Sequence, residues 1–446
     1  MAAFYNDCWV AAEVSRCTEL WRERAASPSQ LAPLYSTRDH EARESAYDAA
    51  LHEVEWEAKR LAPSPRTRAA AESRMIAAFA RFAQNALDLH QEQIGFLTDH
   101  FLPAGIEFAR RARSFDPHIS RDDTIQACRN AWTACGLQPL LGAPLQVTPS
   151  ILAYSLLYPY SDNYLDSADV PTKAKLSFSD RFRQRLRGHV APPLNSHEAA
   201  VWALVAMIEQ QYPRSQFPNV YACLLAIHEA QEQSIGQLRA GPGIDDARLL
   251  RVSLAKGGTS VLADACLVRG TITEAQSQAA FEWGALLQLG DDLQDVADDL
   301  HSGSQTLFTN AVKRDECLDG LVHQLLAFCD CVAAHMRLLP DGSEHLKDLL
   351  RTSWRSLILG AVASASQFFS TAFLAEAERA SPFRFEFLRA RQRHLAGRQG
   401  LYATLFDLFT EQPISSATSA SAHKAALEGV AQRGHAAHAV VGFGTD

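Results

Sequence analysis

The hydrophobic and polar positions of the chain follow a helical pattern almost throughout, and strand-like alternation is nearly absent. The pattern predicts helices of roughly 15 to 25 residues, separated by stretches rich in proline and glycine. These stretches fall at 27–33, 62–67, 136–149, 190–197, 211–218, 240–246 and 339–345. We therefore expect an all-α protein built as a single large helical bundle.

The C-terminal segment has a different composition. From about Glu411 the sequence is rich in serine, alanine, glycine and histidine and contains few large apolar residues. Such a segment cannot bury enough apolar surface to offset the entropy of ordering it. Residues 411–446 are therefore predicted to be a low-complexity, disordered tail.

The overall composition narrows the class of protein. Of the 446 residues, 47% are hydrophobic and 21% are charged, as in soluble globular proteins. A formal charge of −9 argues against a nucleic-acid binder but not against an anionic ligand, because bound divalent cations can reverse the local charge. We expect no transmembrane segment and no signal peptide. The nine scattered cysteines contain no C-x-x-C pair and favour a cytoplasmic protein with reduced thiols.

Two pairs of aspartates lie four residues apart within predicted helices. Asp162 and Asp166 belong to SDNYLD, and Asp291 and Asp295 belong to DDLQD, which also contains Asp292. Side chains at positions i and i+4 share one helix face, with Cβ atoms about 5–6 Å apart. Two such carboxylates can bind Mg²⁺, which prefers oxygen ligands and shares phosphate oxygens. A solvated acidic face is the alternative for either pair taken alone.

The residues that precede each pair on the same helix face argue against a solvated face. At about 100° per residue, the face leading to each pair carries mostly apolar, aromatic or small side chains. These positions are Ile151, Leu152, Ser155 and Tyr158 in the first helix, and Phe281, Gly284, Leu287 and Gln288 in the second. The pattern predicts that both helices form walls of an apolar cavity, with the acids at its rim.

A lysine lies between the two acidic motifs. Lys256 stands in a largely apolar stretch and shares a helix face with Ser253 and Ser260. The adjacent pair Gly257–Gly258 costs about 1 kcal/mol per residue in a helix interior, which indicates a kink or the close approach of a ligand. A surface lysine whose stem lies along apolar surface is the alternative.

The motifs DNYLD, KGGTS and LLQLGDDLQDVADD together resemble those of the class I isoprenoid synthases in order and spacing. The last motif is similar to the glutamine-plus-DDxxD signature of the trans-prenyl diphosphate synthases. The resemblance covers about 150–310. It implies a helical bundle of the isoprenoid synthase type around a central apolar cavity. Residues 141–410 would form the catalytic bundle, and residues 1–140 an N-terminal helical region packed on it.

The resemblance also implies a role for each matching residue. In that family, two facing helices present aspartates to three Mg²⁺ ions that hold the substrate diphosphate. The metal ligands would be Asp162, Asp166, Asp291, Asp292 and Asp295. Lys256 would bind diphosphate oxygens. Clustered cations stabilise the negative charge that develops when the bond to diphosphate breaks.

Several departures from the chain-elongating members of the family affect the expected reaction. Asn163 stands where those members have a second aspartate, and SADVPTKAK replaces the arginine pair that follows. The N-terminal third has no GGKxxRP-like motif, and HSGSQT lacks the lysine that follows the second motif. The arginine pair and the basic motif bind isopentenyl diphosphate in that family. The resemblance therefore favours a terpene synthase, which ionises one linear prenyl diphosphate and lets the cation cyclise or eliminate.

Two other functions stay open at this point. A chain-elongating trans-prenyltransferase would need an unrecognised site for isopentenyl diphosphate among the N-terminal basic residues. A non-catalytic helical isoprenoid-binding protein would not need the acids that both motifs retain. The sequence also leaves open a homodimer.

His228 and Glu232 lie four residues apart in IHEAQEQS and share a face if this segment is helical. Their spacing differs from that of the zinc-binding H-E-x-x-H motif. We therefore favour a solvated helix face over a zinc site at these two residues.

Overall fold

The chain folds into helices joined mostly by short connections, as the sequence predicts. A computed structural model describes residues 5–25, 31–60, 65–167, 169–238 and 245–410. Within these ranges it contains no β-strand, which confirms the all-α class. The tail predicted for 411–446 lies outside the described residues.

Six α-helices precede the acidic motifs. They are α1 (Asp7–Ala25), α2 (Thr37–Arg60), α3 (Pro65–Leu87), α4 (Gln91–Gly95), α5 (Leu102–Phe115) and α6 (Arg121–Leu140). A π-helical segment, Phe96–Phe101, joins α4 to α5.

The following helices carry the motifs. They are α7 (Pro149–Asp166), α8 (Thr172–Leu186), α9 (Ser196–Gln211), α10 (Pro218–Leu238), α11 (Asp246–Arg269), α12 (Glu274–Gln294) and α13 (Val296–Ser302). The remainder of the described chain forms α14 (Leu307–Lys313), α15 (Asp319–Arg337), α16 (Glu344–Ser364), α17 (Thr371–Ala380), α18 (Phe385–Ala396) and α19 (Gln399–Thr410). None of the described helices is both long enough and apolar enough to cross a membrane.

Side-chain caps fix the starts of the helices that carry the candidate residues. At the start of α7, the Thr148 hydroxyl accepts a hydrogen bond from the Ile151 backbone N–H. Asp245 caps α11 in the same way, and Thr273 opens α12 with a reciprocal bond to Gln276. Each cap stabilises its helix by about 1 kcal/mol. The caps therefore set which residues of these helices face one another.

One apolar core runs through most of the bundle. It contains buried side chains from α1, α5 and α6 together with those of the helices that carry the motifs. Residues on both sides of position 140 thus share this core. A smaller cluster lies at α2, α3 and α19, where Ala58, Ala71 and Met75 pack with Leu405.

Helices α11 and α12 form the most extensive helix–helix contact, and glycines allow it. A Cβ atom added to Gly257 would lie 2.2 Å from the carbonyl oxygen of Gly284. One added to Gly284 would lie 2.0 Å from the carbonyl oxygen of Gly257, and one on Gly258 would lie 2.5 Å from the Phe281 ring. No carbon atom fits at these distances. The glycine pair, which indicated a kink or a bound ligand, instead allows the approach of a second helix.

We predict that Gly284→Ala lowers the thermal unfolding midpoint because the added methyl group forces α11 and α12 apart. Overpacking of this kind costs about 1–3 kcal/mol or more. Gly290→Ala on the same helix is the matched control, because no atom lies within 4 Å of its added Cβ. Alanine there should stabilise the helix by up to about 1 kcal/mol. Equal midpoints for the two variants would contradict the proposed backbone contact.

Candidate active site

The C-terminal end of α7 places the first acidic motif beside α10. Helix α7 continues through Pro159 to Asp166. Asp162 is half-buried, and its Oδ2 accepts a hydrogen bond of 2.5 Å from Gln231 Nε2 on α10. Its Oδ1 accepts one of 3.1 Å from the Ser161 hydroxyl. Gln231 therefore orients the Asp162 carboxylate. The side chain of Asp166 lies outside the described part of the structure.

Asp292 is the anchored acid of the second motif. Its Oδ2 accepts a hydrogen bond of 2.6 Å from the Ser253 hydroxyl on α11, and its Oδ1 accepts one of 2.8 Å from Gln288 Nε2. The carboxyl group is buried, and burial raises its pKa to about 6, although both hydrogen bonds and the nearby Lys256 ammonium act in the opposite direction. Asp292 is thereby fixed between α11 and α12.

Asp291, Asp295 and Asp299 crowd the same end of α12 and the start of α13. Burial raises the pKa of each carboxyl, and repulsion between neighbouring acids raises it further. We call Asp162, Asp291, Asp292, Asp295 and Asp299 the acidic rim. Crowded carboxyls with raised pKa values are more common at functional sites than elsewhere.

Lys256 on α11 lies within electrostatic reach of both acidic motifs. Burial lowers the pKa of its ammonium group, but the Tyr158 oxygen and the carboxylates of Asp162, Asp292 and Asp291 more than offset this and raise the pKa. The ammonium makes no hydrogen bond and no ion pair within the described residues. The Lys256 ammonium is therefore a positive charge near acids of both motifs, and its N–H groups are available to donate hydrogen bonds to an anion.

Arg129 on α6 is a second cation at the acidic rim, and sequence reasoning missed it. Its positive charge lowers the pKa values of Asp291 and Asp295, which burial and neighbouring acids raise. The guanidinium is exposed and, in the described part of the chain, makes no hydrogen bond or ion pair. Arg129 precedes the stretch that resembles a known family, and no local motif marks it. Only the packing of α6 against α7 and α11 reveals its position.

Asn163, which departs from the chain-elongating motif, faces α6. Its Nδ2 donates hydrogen bonds to Asp123 Oδ1 at 2.7 Å and to Gln126 Oε1 at 3.1 Å. An aspartate at this position would place its carboxylate against that of Asp123. The asparagine thus joins α6 to α7 without charge repulsion.

A cavity with an empty volume of about 460 Å³, part of it open to solvent, extends from Asp162 into the bundle. It lies among α6, α7, α8, α10 and α11. Its walls are mostly apolar or aromatic, and they are formed by Tyr154, Leu157, Tyr158, Phe182, Leu186, Leu224 and Ile227. Polar groups are contributed by Asn130, Ser161, Asp162, His228, Gln231 and Ser260.

The residues predicted as cavity walls occupy different places. Tyr158 lines this cavity near Asp162. Ile151, Leu152 and Ser155 are buried within α7, and the Ser155 hydroxyl accepts a hydrogen bond of 3.1 Å from Asn130. On α12, Gly284 and Phe281 pack against α11, Leu287 packs against the core, and Gln288 holds Asp292. The cavity wall opposite α7 comes instead from α8 and α10, which carry no recognised motif.

His228 is a buried cavity residue, which corrects the solvated face expected for it. The imidazole is 3% exposed and packs edge-on against Phe182, with ring centroids 5.2 Å apart. Glu232 is half-buried and contacts Ser179 and Arg183 on α8. Aromatic and leucine side chains of α8 pack over this part of α10 and bury His228. The local sequence of α10 could not predict this burial, because it depends on another helix.

The donor set of the acidic rim fits a hard divalent cation. Among the described residues, no three Asp, Glu, His or Cys side chains converge closely enough to enclose a metal by themselves. Mg²⁺ does not need such an enclosure, since it keeps several waters and takes one or two carboxylates together with substrate phosphates. The acids outnumber Lys256 and Arg129, so an anionic ligand would be repelled without an added cation.

Comparison with known proteins adds no family assignment. No protein-family model matches the chain, and no similar sequence is found among curated proteins.

We predict that the stability difference between Asp292→Asn and the wild type depends on pH. The folded carboxyl has a pKa of about 6, above that of an unfolded aspartate, so the folded state binds the proton more tightly. The wild-type free energy of unfolding should therefore fall as pH rises from about 4 to about 6, by up to about 3 kcal/mol from this group.

Urea unfolding without divalent cations measures this difference. Asparagine cannot ionise, so its stability relative to the wild type should increase over the same pH interval. Any constant offset reports the altered hydrogen bonds to Ser253 and Gln288. A difference that stays constant from pH 4 to pH 7 would refute the raised pKa.

Proposed function

We propose that this protein is a class I terpene synthase that ionises one linear prenyl diphosphate and lets the carbocation cyclise or eliminate. The observation that carries the proposal is Lys256, an unpaired ammonium within the described residues that is electrostatically linked to both acidic motifs. An apolar cavity begins beside it at Tyr158 and Asp162. An anion-binding rim above an apolar cavity suits a substrate with a diphosphate head and a hydrocarbon tail.

The acids and the two cations at the rim have different roles in binding the diphosphate. Asp162, Asp291 and Asp295 would hold Mg²⁺, which when bound neutralises the charge of the diphosphate as a leaving group. Lys256 on α11 and Arg129 on α6 donate hydrogen bonds to diphosphate oxygens. Their charges stabilise the leaving group as it takes the electron pair of the C–O bond.

In this proposal the cavity holds the prenyl chain, and the bound chain displaces water from it. Tyr154, Tyr158 and Phe182 present aromatic rings to it, and their faces stabilise a nearby carbocation by about 2 kcal/mol or more where water is absent. Leu157 and Ile227 add apolar surface that cannot trap the cation. The nine cysteines are all free, which supports a reduced, cytoplasmic setting as part of the proposal.

Incubation with prenyl diphosphates of 10 to 25 carbons distinguishes the proposed reaction from its rivals. We expect Mg²⁺-dependent diphosphate release and a terpene product from the allylic substrate alone, and loss of both on chelation. Product only in the presence of isopentenyl diphosphate would identify a chain-elongating enzyme. Binding of a prenyl diphosphate without turnover would identify a binding protein.

We predict that Asp162→Asn and Asp291→Asn each reduce diphosphate release by about 10²-fold or more, as the loss of a main source of transition-state charge stabilisation does in other enzymes. Thermal unfolding checks that both variants fold. Asp298→Asn is the matched control, because Asp298 is an exposed acid on the adjacent helix α13. Wild-type turnover in either rim variant would remove that residue from the proposed metal site.

We predict that Arg129→Gln lowers kcat/KM for the allylic substrate by about ten- to a hundredfold, because hydrogen bonds to charged groups contribute about 1.5–3 kcal/mol. Arg129→Lys should recover part of the loss, since lysine keeps the charge but not the planar fork. Steady-state kinetics under saturating Mg²⁺ measure both. Equal kcat/KM in all three proteins would place Arg129 outside the diphosphate site.

A further inference from the structure

His228 occupies a position one helical turn deeper than the acidic rim. It lies three residues before Gln231 on α10, and Gln231 donates its hydrogen bond to Asp162. Both side chains line the cavity. One turn of an α-helix advances about 5.4 Å, roughly the length of one isoprene unit. The imidazole therefore faces the space that the hydrocarbon part of a substrate would fill.

The contacts of His228 define which ring nitrogen can accept a proton. Nε2 lies 3.2 Å from the carbonyl oxygen of Ser179, which can only accept a hydrogen bond. Nε2 must therefore carry the hydrogen, and Nδ1 carries the lone pair. Within the described residues Nδ1 makes no hydrogen bond, and the imidazole lines the cavity. Burial lowers the pKa of the imidazole, so the ring is neutral before reaction.

The surroundings of His228 stabilise the ring once it gains a proton. Glu232 Oε1 lies 3.6 Å from Nε2. Burial acts to raise the pKa of Glu232, but hydrogen bonds from the Ser179 hydroxyl and Arg183 outweigh it, so the net pKa is lowered and the carboxylate stays ionised. An imidazolium at this place would face a fixed negative charge in a low-dielectric interior.

The other ionisable groups near the cavity are poor bases. Burial raises the pKa of the Tyr154 phenol well above its usual value, so it stays protonated. The fully buried Asp264 does not line the cavity. Asp162 is held at the mouth by Gln231 and Ser161. His228 is the described cavity residue whose lone pair is both available and deep in the bundle.

We propose that His228 Nδ1 is the base that ends the carbocation reaction, so that the product is an olefin rather than an alcohol. This inference rests on the proposed function. A C–H bond next to the cationic carbon breaks, and its electron pair forms the new C=C bond. The proton goes to Nδ1 and gives an imidazolium paired with Glu232. The proton leaves to solvent when product and diphosphate depart, so no oxidant or co-reactant is needed.

Two variants of the full-length protein test the base. His228→Phe fills the space with an apolar ring, and His228→Gln keeps a polar group that can reach Ser179. Each is incubated with Mg²⁺ and the prenyl diphosphate that the wild type turns over. Diphosphate release is measured together with the hydrocarbons and alcohols formed. His189→Phe is the matched control, because His189 is exposed and lies outside the cavity lining.

We expect both variants still to release diphosphate, because ionisation does not use His228, and the products are therefore compared per diphosphate released. The share of the main wild-type olefin should fall by about tenfold or more, as expected on loss of a general base. Alcohols and olefins deprotonated at other carbons should replace it. The control should retain the wild-type products.

The outcomes separate this inference from the proposed function. An unchanged olefin profile in both variants, with diphosphate still released, would overturn the role of His228 and leave the synthase proposal standing. If the wild-type product is an alcohol, the role of His228 is also overturned and the synthase proposal still stands. A wild type that releases no diphosphate from any prenyl substrate would overturn both proposals.

Discussion

The contact between the backbones of α11 and α12 fixes the geometry of the candidate site. Gly257 and Gly284 approach so closely that neither tolerates a Cβ atom. This approach brings Ser253 within hydrogen-bond distance of Asp292, and it places Lys256 within electrostatic reach of the acids on α12. A larger residue at either glycine would separate the helices and pull the lysine away from the acids. The close packing of the two glycines thus determines how near Lys256 lies to the acids of α12.

The rim has an excess of negative charge, and the rest of the bundle compensates for only part of it. Burial and mutual repulsion raise the pKa values of Asp291, Asp295 and Asp299, while Lys256 and Arg129 act in the opposite direction. Such crowding destabilises the folded protein, because charges that repel are held together. Under the proposed function, binding of a divalent cation together with an anion would relieve this repulsion.

The helical class and the Pro/Gly-rich breaks between helices could be predicted from the sequence, because each depends on local spacing. The sequence also singled out Lys256, which lies within electrostatic reach of acids from both motifs. The cavity walls could not be predicted. Helical periodicity assigned Phe281 and Gly284 to a cavity, but an apolar face looks the same whether it meets a ligand or another helix. The residues that do line the cavity, such as Phe182 and His228, belong to helices without motifs. Arg129 was missed for the same reason, since only tertiary packing brings it to the rim.

Asn163 links the first acidic motif to α6. Its amide joins α7 to Asp123 and Gln126 of α6, and the same helix presents Arg129 three residues after Gln126. An aspartate at 163 would repel Asp123 and weaken this contact between α6 and α7. Arg129 and Lys256 both lower the pKa values of Asp291 and Asp295, and under the proposed function both cations bind one diphosphate. A second diphosphate would need further cations, and an arginine pair after the first motif is absent from this chain.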